Sequence, residues 1–99
     1  MVYVDKLHQW IAKDKIAHIV GARFNHMWCH MWADTAKELH TMAESMGLKF
    51  KWAHQANDGF WHYDLVPTKR KIAIDKGAIE TDIITWRNEQ KEKVEGETE

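Results

Sequence analysis

Met27-Trp-Cys-His-Met-Trp-Ala33-Asp34-Thr-Ala-Lys-Glu38-Leu-His-Thr-Met-Ala-Glu-Ser-Met-Gly47 carries the two local signals from which the rest of the fold is read. Its first seven residues are bulky, apolar and too few for a helix, so they read as a strand buried on both faces, as in a parallel sheet. Asp34 ends that strand. Thr35-Ala-Lys-Glu38 has the form of a capping box, with Asp34 or Thr35 at the N-cap and Glu38 reaching back. Leu39, Met42, Ala43 and Met46 then form one apolar stripe, with Lys37, Thr41, Glu44 and Ser45 facing water. Gly47 stands where a helix ends in a left-handed residue.

Working outward, Val2-Tyr3-Val4 is β-rich and ends in Asp5, which predicts a short first strand. From Lys6 to about Asn25 the pattern weakens, and Trp10, Ile11, Ile16, Ile19 and Val20 suit either a short helix or an elaborated loop. Downstream, Leu48, Phe50 and Trp52 alternate with Lys49, Lys51 and Ala53, the period of an edge strand with one wet face. Asn57-Asp58-Gly59 marks a turn. The aromatic segment Phe60–Val66 leads to Pro67, a natural first-turn residue for a helix through Ile72, Ala73 and Ile74 to Gly77. Ala78–Trp86 predicts a final strand, broken near Asp82. Asn88–Glu99 has Val94 as its one large apolar residue and reads as a frayed helix or flexible tail.

The expected fold is therefore α/β: a small, mainly parallel sheet with two principal helices and an elaborated segment after the first strand. Residues 1–87 form the single domain and residues 88–99 an acidic tail. With 99 residues there is room for one core, and a domain of that size is marginal enough for a homodimer to help it. Fourteen basic against fifteen acidic residues rule out the strongly basic signature of a dedicated duplex-binding protein. Five Glu and two Lys fall in Asn88–Glu99, which leaves the body slightly basic. One cysteine suits a reducing compartment, and no run approaches the roughly 18 apolar residues of a membrane span. Cytoplasm is the expected location and no membrane the expected partner.

In a parallel sheet, ligands sit beyond the carboxyl ends of the strands, so the polar residues there are the ones to inspect. Lys69-Arg70-Lys71 opens the second helix, where the macrodipole disfavours basic side chains. A phosphate or carboxylate held by backbone N–H groups and Arg70 would offset that, as would simple solvation of the three side chains. His62 and Asp64 share one face of an extended segment, so the carboxylate can orient the imidazole for acid–base work. Alternatively, Asp64 caps the following helix and His62 packs among its aromatic neighbours.

Asp5 and Asp34 each end a strand, where carboxylates bind a divalent ion, act as acid and base, or merely form caps and turns. His26-x-x-Cys29-His30, with His40, His54 and His62 elsewhere, matches no compact zinc module, and no metal ligands are assigned. A lone Cys29 in an apolar strand is most often inert core. Trp52 and Trp61 lie beside basic residues or His and offer rings for stacking on bases, although tryptophans in such alternating runs are usually core. No motif specifies a cofactor.

Several segments taken in order carry a resemblance: Val2-Tyr-Val-Asp5, Cys29-His-Met-Trp-Ala-Asp34, Glu38-Leu-His40, His62-Tyr-Asp-Leu65, Lys69-Arg70 and Gly77-Ala78. Together they resemble a small uncharacterised family of bacteria and their phages, a domain of unknown function. The likeness covers most of the chain through Glu80; the connection Lys6–Met27 is longer than the family's, and the acidic tail is peculiar to this chain. The resemblance implies no activity. It implies only that Asp5, His30, Asp34, His62, Asp64, Lys69 and Arg70 are the pattern positions to test. The combined expectation is a protein that binds a nucleotide or other phosphate-bearing small molecule through Lys69, Arg70, Asp5, His30 and Asp34. Its hydrolytic chemistry, if present, centres on His62 and Asp64. The alternative is a non-catalytic module for single-stranded nucleic acid or a protein partner.

Overall fold

The computed structural model describes residues 1–9, 19 and 22–97. Trp10, Ile11, Ile16 and Val20, expected in a short helix or loop, lie outside the described residues. The strands are β1 (Val2–Val4), β2 (His8–Gln9), β3 (Met27–Ala33), β4 (His54–Gln55), β5 (Trp61–Leu65) and β6 (Ile79–Glu80). The α-helices among the described residues are α1 (Ala36–Ser45), α2 (Pro67–Asp75) and α3 (Ile83–Glu97), and a 3₁₀ turn covers Phe50–Trp52. Among the described residues, no helix is long and apolar enough to cross a membrane.

The sheet runs β4-β5-β3-β1-β6, with β2 beside β3. It is mostly antiparallel: among the described residues, β1–β3, β2–β3, β3–β5 and β4–β5 are antiparallel and only β1–β6 is parallel. This corrects the expected parallel sheet. β1, β5 and β6 do run in one direction, joined at β5-α2-β6 by a crossover, but β3 inserts between β1 and β5 in the opposite sense. An apolar run records burial on both faces and is silent about direction.

Two further expectations change. Leu48–Ala53 does not form an edge strand; Trp52 N–H and Ala53 N–H donate to the Lys49 and Phe50 carbonyls at 2.9 Å, closing the 3₁₀ turn. Pairing begins only at His54, opposite His62 of β5. Ile83–Trp86 is not strand but the first turn of α3. Asp82 Oδ2 accepts from the backbone N–H of Thr85 at 2.9 Å and from its hydroxyl at 2.8 Å, so local capping overrides the β preference of Ile-Ile-Thr.

The helix signals of α1 and α2 hold. Thr35 is the N-cap of α1, its hydroxyl oxygen accepting the Glu38 N–H at 3.2 Å. Leu48 N–H and Ala78 N–H reach back to the Ala43 and Ala73 carbonyls at 2.9 Å, across Gly47 at φ +79° and Gly77 at φ +106°. Both helices thus end in the six-to-one closure that a left-handed glycine permits.

One face of the sheet carries the core. Val2, Val4, Cys29, Met31, Tyr63 and Leu65 pack there against Leu39 and Ala43 of α1, Met46 at its C-cap and Ala73 of α2. Strand alternation then sends Tyr3, Trp28, His30, Trp32, His62 and Asp64 to the second face. At one end of that face Trp86 of α3 packs on Tyr3 and Trp32, with ring centroids 5.6 and 6.0 Å apart. The other end is polar.

Candidate functional site

Antiparallel register assembles the polar end. Val4 pairs with Met31 and His30 pairs with Asp64, so Asp5, His30 and Asp64 form one row across three neighbouring strands. His62, two residues before Asp64, shares its face, and His54 on β4 is the partner of His62. His8 on β2 completes the group, its ring 5.2 Å from that of His30. His8, His30, His54, His62 and Asp64, with Gln9, Trp28 and Cys29, line a cleft of ≈ 380 Å³.

Asp5 is the anchor. Only 7% exposed, it accepts the His30 backbone N–H on Oδ1 at 2.6 Å and faces His30 Nδ1 with Oδ2 at 2.7 Å. A carboxylate opposite Nδ1 selects the tautomer protonated there and leaves Nε2 as the free ring nitrogen. That bond raises the His30 imidazole above its usual range, against the opposing effect of burial. Asp64 stands between two imidazoles, with His54 Nε2 3.4 Å from Oδ2 and His62 Nε2 3.7 Å from Oδ1. Burial pushes His62 down, Asp64 opposes it, and the charges of His30, His54 and Arg87 add to the depression. The His30 and His54 rings lie 5.4 and 5.3 Å from that of His62. Nitrogen and oxygen donors of His30, His62 and Asp64 all fall within 4.8 Å of one another, as do those of Asp5, His8 and His30.

The structure gathers Asp5, His30, His62 and Asp64 and leaves Asp34, Lys69 and Arg70 elsewhere. Asp34 lies beyond the far end of β3, accepting the Tyr3 hydroxyl at 2.9 Å and facing the terminal amine of Met1 at 3.3 Å. Lys69 Nζ donates to the Met46 carbonyl at 3.0 Å, at the carboxyl end of α1. Arg70 Nε donates to the Asp5 carbonyl at 2.9 Å, and its guanidinium pairs with Glu80 at 3.2 Å. Both cations thus have protein partners, and Arg70 ties β1 and β6 to α2. Asp64 is not the cap of α2, whose N-cap is Val66 with no side-chain bond. His62 does stack on Phe60, at 6.2 Å.

Arg70→Ala should accordingly destabilise the fold by about 1.5–3 kcal/mol, the worth of a hydrogen bond from a charged donor to a part-buried acceptor. A freely solvated cation at a helix start would instead leave stability unchanged or raised by a few tenths of a kcal/mol. Urea unfolding of the two proteins separates these outcomes.

Cys29 backs the cleft from the core face, 1% exposed, with its thiol pushed up to about 12 by burial and by the Asp5 charge. Since the thiolate is the reactive form, native protein at pH 8 should resist a disulfide-exchange reagent and react fully once unfolded. Appreciable labelling of the native state would show that the strand opens.

His8 and His54 were not among the expected site residues. His54 had a readable signal, because a turn at Asn57–Gly59 folds position 54 back onto 62. His8 had none, since its place depends on β2 joining β3.

Fold and cleft define a small α/β protein with a histidine–aspartate centre on the second face of a mixed, largely antiparallel sheet. Residues 2–93 match the family described as Protein of unknown function (DUF4031), and the chain belongs to that family. No curated protein and no solved structure matches it.

Proposed function

We propose that this chain hydrolyses a phosphate ester of the nucleotide class in the histidine–aspartate cleft, with His62 and Asp64 at the centre of the chemistry. The observation that carries this reading is the row Asp5–His30–Asp64, flanked by His62, His54 and His8 on one face. Imidazoles held by carboxylates supply a group to take a proton from water and another to return one to the departing oxygen. The phosphate class is supported by the imidazoles of His8 and His54 that line the cleft, whose ring N–H groups can donate to phosphoryl oxygens. A cytoplasmic protein of bacterial or phage type fits the resemblance and the single buried thiol.

The test is phosphate release from a panel of aryl phosphate mono- and diesters and nucleotides, with and without added divalent cations. Turnover of at least one compound that is lost in His62→Ala supports the proposal, and no turnover of any by folded wild type removes it.

One observation favours a second reading as a non-catalytic module for single-stranded nucleic acid. Phe50 and Trp52 are 63% and 47% exposed, and Lys49 Nζ lies 5.6 Å above the Trp52 ring. Rings interleaved with cations suit base stacking. Polynucleotide binding that weakens steeply with salt and is lost in Trp52→Ala would establish it.

A further inference from the structure

We propose that the cleft is a mononuclear site for a divalent transition-metal ion, zinc by its donor set, with His30 Nε2, a ring nitrogen of His62 and a carboxylate oxygen of Asp64 as ligands. The inference deepens the hydrolytic reading and rests on the same cleft.

Three features of the geometry point to it. The first is the distance around Asp64. His62 Nε2 stands 3.7 Å from Oδ1, longer than a hydrogen bond between such groups. That separation is near the edge of a tetrahedron, about 3.4 Å when each ligand bond is about 2.1 Å. The donors of His30, His62 and Asp64 span at most 4.8 Å, so small side-chain rotations close the set.

The second is the orientation of His30. A metal-bound imidazole almost always donates its other N–H to a carboxylate or carbonyl, which sets the tautomer and strengthens the ligand. Asp5 Oδ2 is in that position at 2.7 Å, and the carboxylate is itself held through Oδ1 by the His30 backbone N–H at 2.6 Å. Asp5 is thus a positioning residue rather than a ligand.

The third is placement. All three ligands project from paired β-strands, β3 and β5, whose register matches His30 with Asp64. A site held by a ladder of backbone hydrogen bonds needs little reorganisation on binding.

Two imidazoles and one carboxylate leave a fourth position for water, the pattern of catalytic rather than structural zinc. Zinc in such a site lowers the pKa of its water and polarises a phosphoryl oxygen. This division of roles leaves His54 and His8 for proton transfer. His8 suits that role because its Nδ1 lies 3.1 Å from the Lys6 carbonyl, which leaves Nε2 as the free ring nitrogen.

The experiment uses the full chain stripped with a chelator and titrated with Co²⁺, followed by its visible absorption, with Zn²⁺ as competitor. The expected result is one Co²⁺ per chain, a tetrahedral-type spectrum and displacement by one equivalent of Zn²⁺. His62→Ala and Asp64→Asn should each weaken binding at least 100-fold while keeping the wild-type circular dichroism spectrum. Asp5→Asn should weaken it about 10–100-fold, as loss of a supporting carboxylate does. Absence of stoichiometric Co²⁺ uptake by wild type, or unchanged affinity in folded Asp64→Asn, overturns the proposal. Metal binding is read without turnover. Tight metal with no hydrolysis therefore leaves the metal site standing and removes the hydrolytic reading, and hydrolysis by stripped protein that takes up no metal does the reverse.

Discussion

His62→Ala is expected to lower kcat/KM for the phosphate ester by about 10²–10⁴, the span of rate that a positioned acid–base or water-activating group supplies. His62 is the point of convergence: it pairs with His54 across the β4–β5 hairpin, faces the His30 ring at 5.4 Å and lies 3.7 Å from Asp64. Structurally its side chain is held by stacking on His54 at 5.3 Å and on Phe60 at 6.2 Å. Truncating a half-buried ring at a cleft wall should cost only about 1 kcal/mol, within the ordinary range for single substitutions. Activity and stability should therefore separate. Phosphate release and a denaturant midpoint measured on the same preparation read both, and a stable variant that keeps wild-type turnover would remove His62 from the chemistry.

Asp5→Ala should show the opposite balance, destabilising the fold by about 3 kcal/mol, in the range for deleting one partner of a buried charged pair. The carboxylate is 7% exposed and accepts two bonds from His30, so its loss strands a backbone donor and a ring donor together. At roughly 4–8 °C per kcal/mol for a domain of this size, the thermal midpoint should fall by about 12–24 °C. Asp5→Asn keeps one acceptor for the His30 N–H and should lose about half as much or less. A loss under about 1 kcal/mol in Asp5→Ala would mean that other contacts hold β1 against β3.

Much of the fold could be read locally because each signal was short in range. The capping box at Thr35–Glu38, the glycines at 47 and 77, Pro67 at the start of α2 and the turn at Asn57–Gly59 each act within a few residues. Where a local pattern had two solutions, context chose. Leu48–Ala53 alternates like a strand yet closes a 3₁₀ turn, and Ile83–Trp86 has strand composition yet starts a helix from Asp82. The site was half readable. His62 and Asp64 lie two apart in an extended segment, which puts them on one face whatever lies beside them. Asp5 stood out as a carboxylate ending a strand and His30 within His26-x-x-Cys29-His30, neither with a sign that they meet, and Lys69 and Arg70, expected to hold an anion, instead bond to the Met46 and Asp5 carbonyls.

By itself the sequence determined where strands and helices lie along most of the chain and which side chains share a strand face, since a period of two or 3.6 is a property of the local backbone. Only the tertiary structure decided that β3 lies antiparallel between β1 and β5, and with it that His30 sits between Asp5 and Asp64. Strand direction and register depend on which distant segments bury each other's apolar faces, and alternation within one strand carries no record of its neighbour.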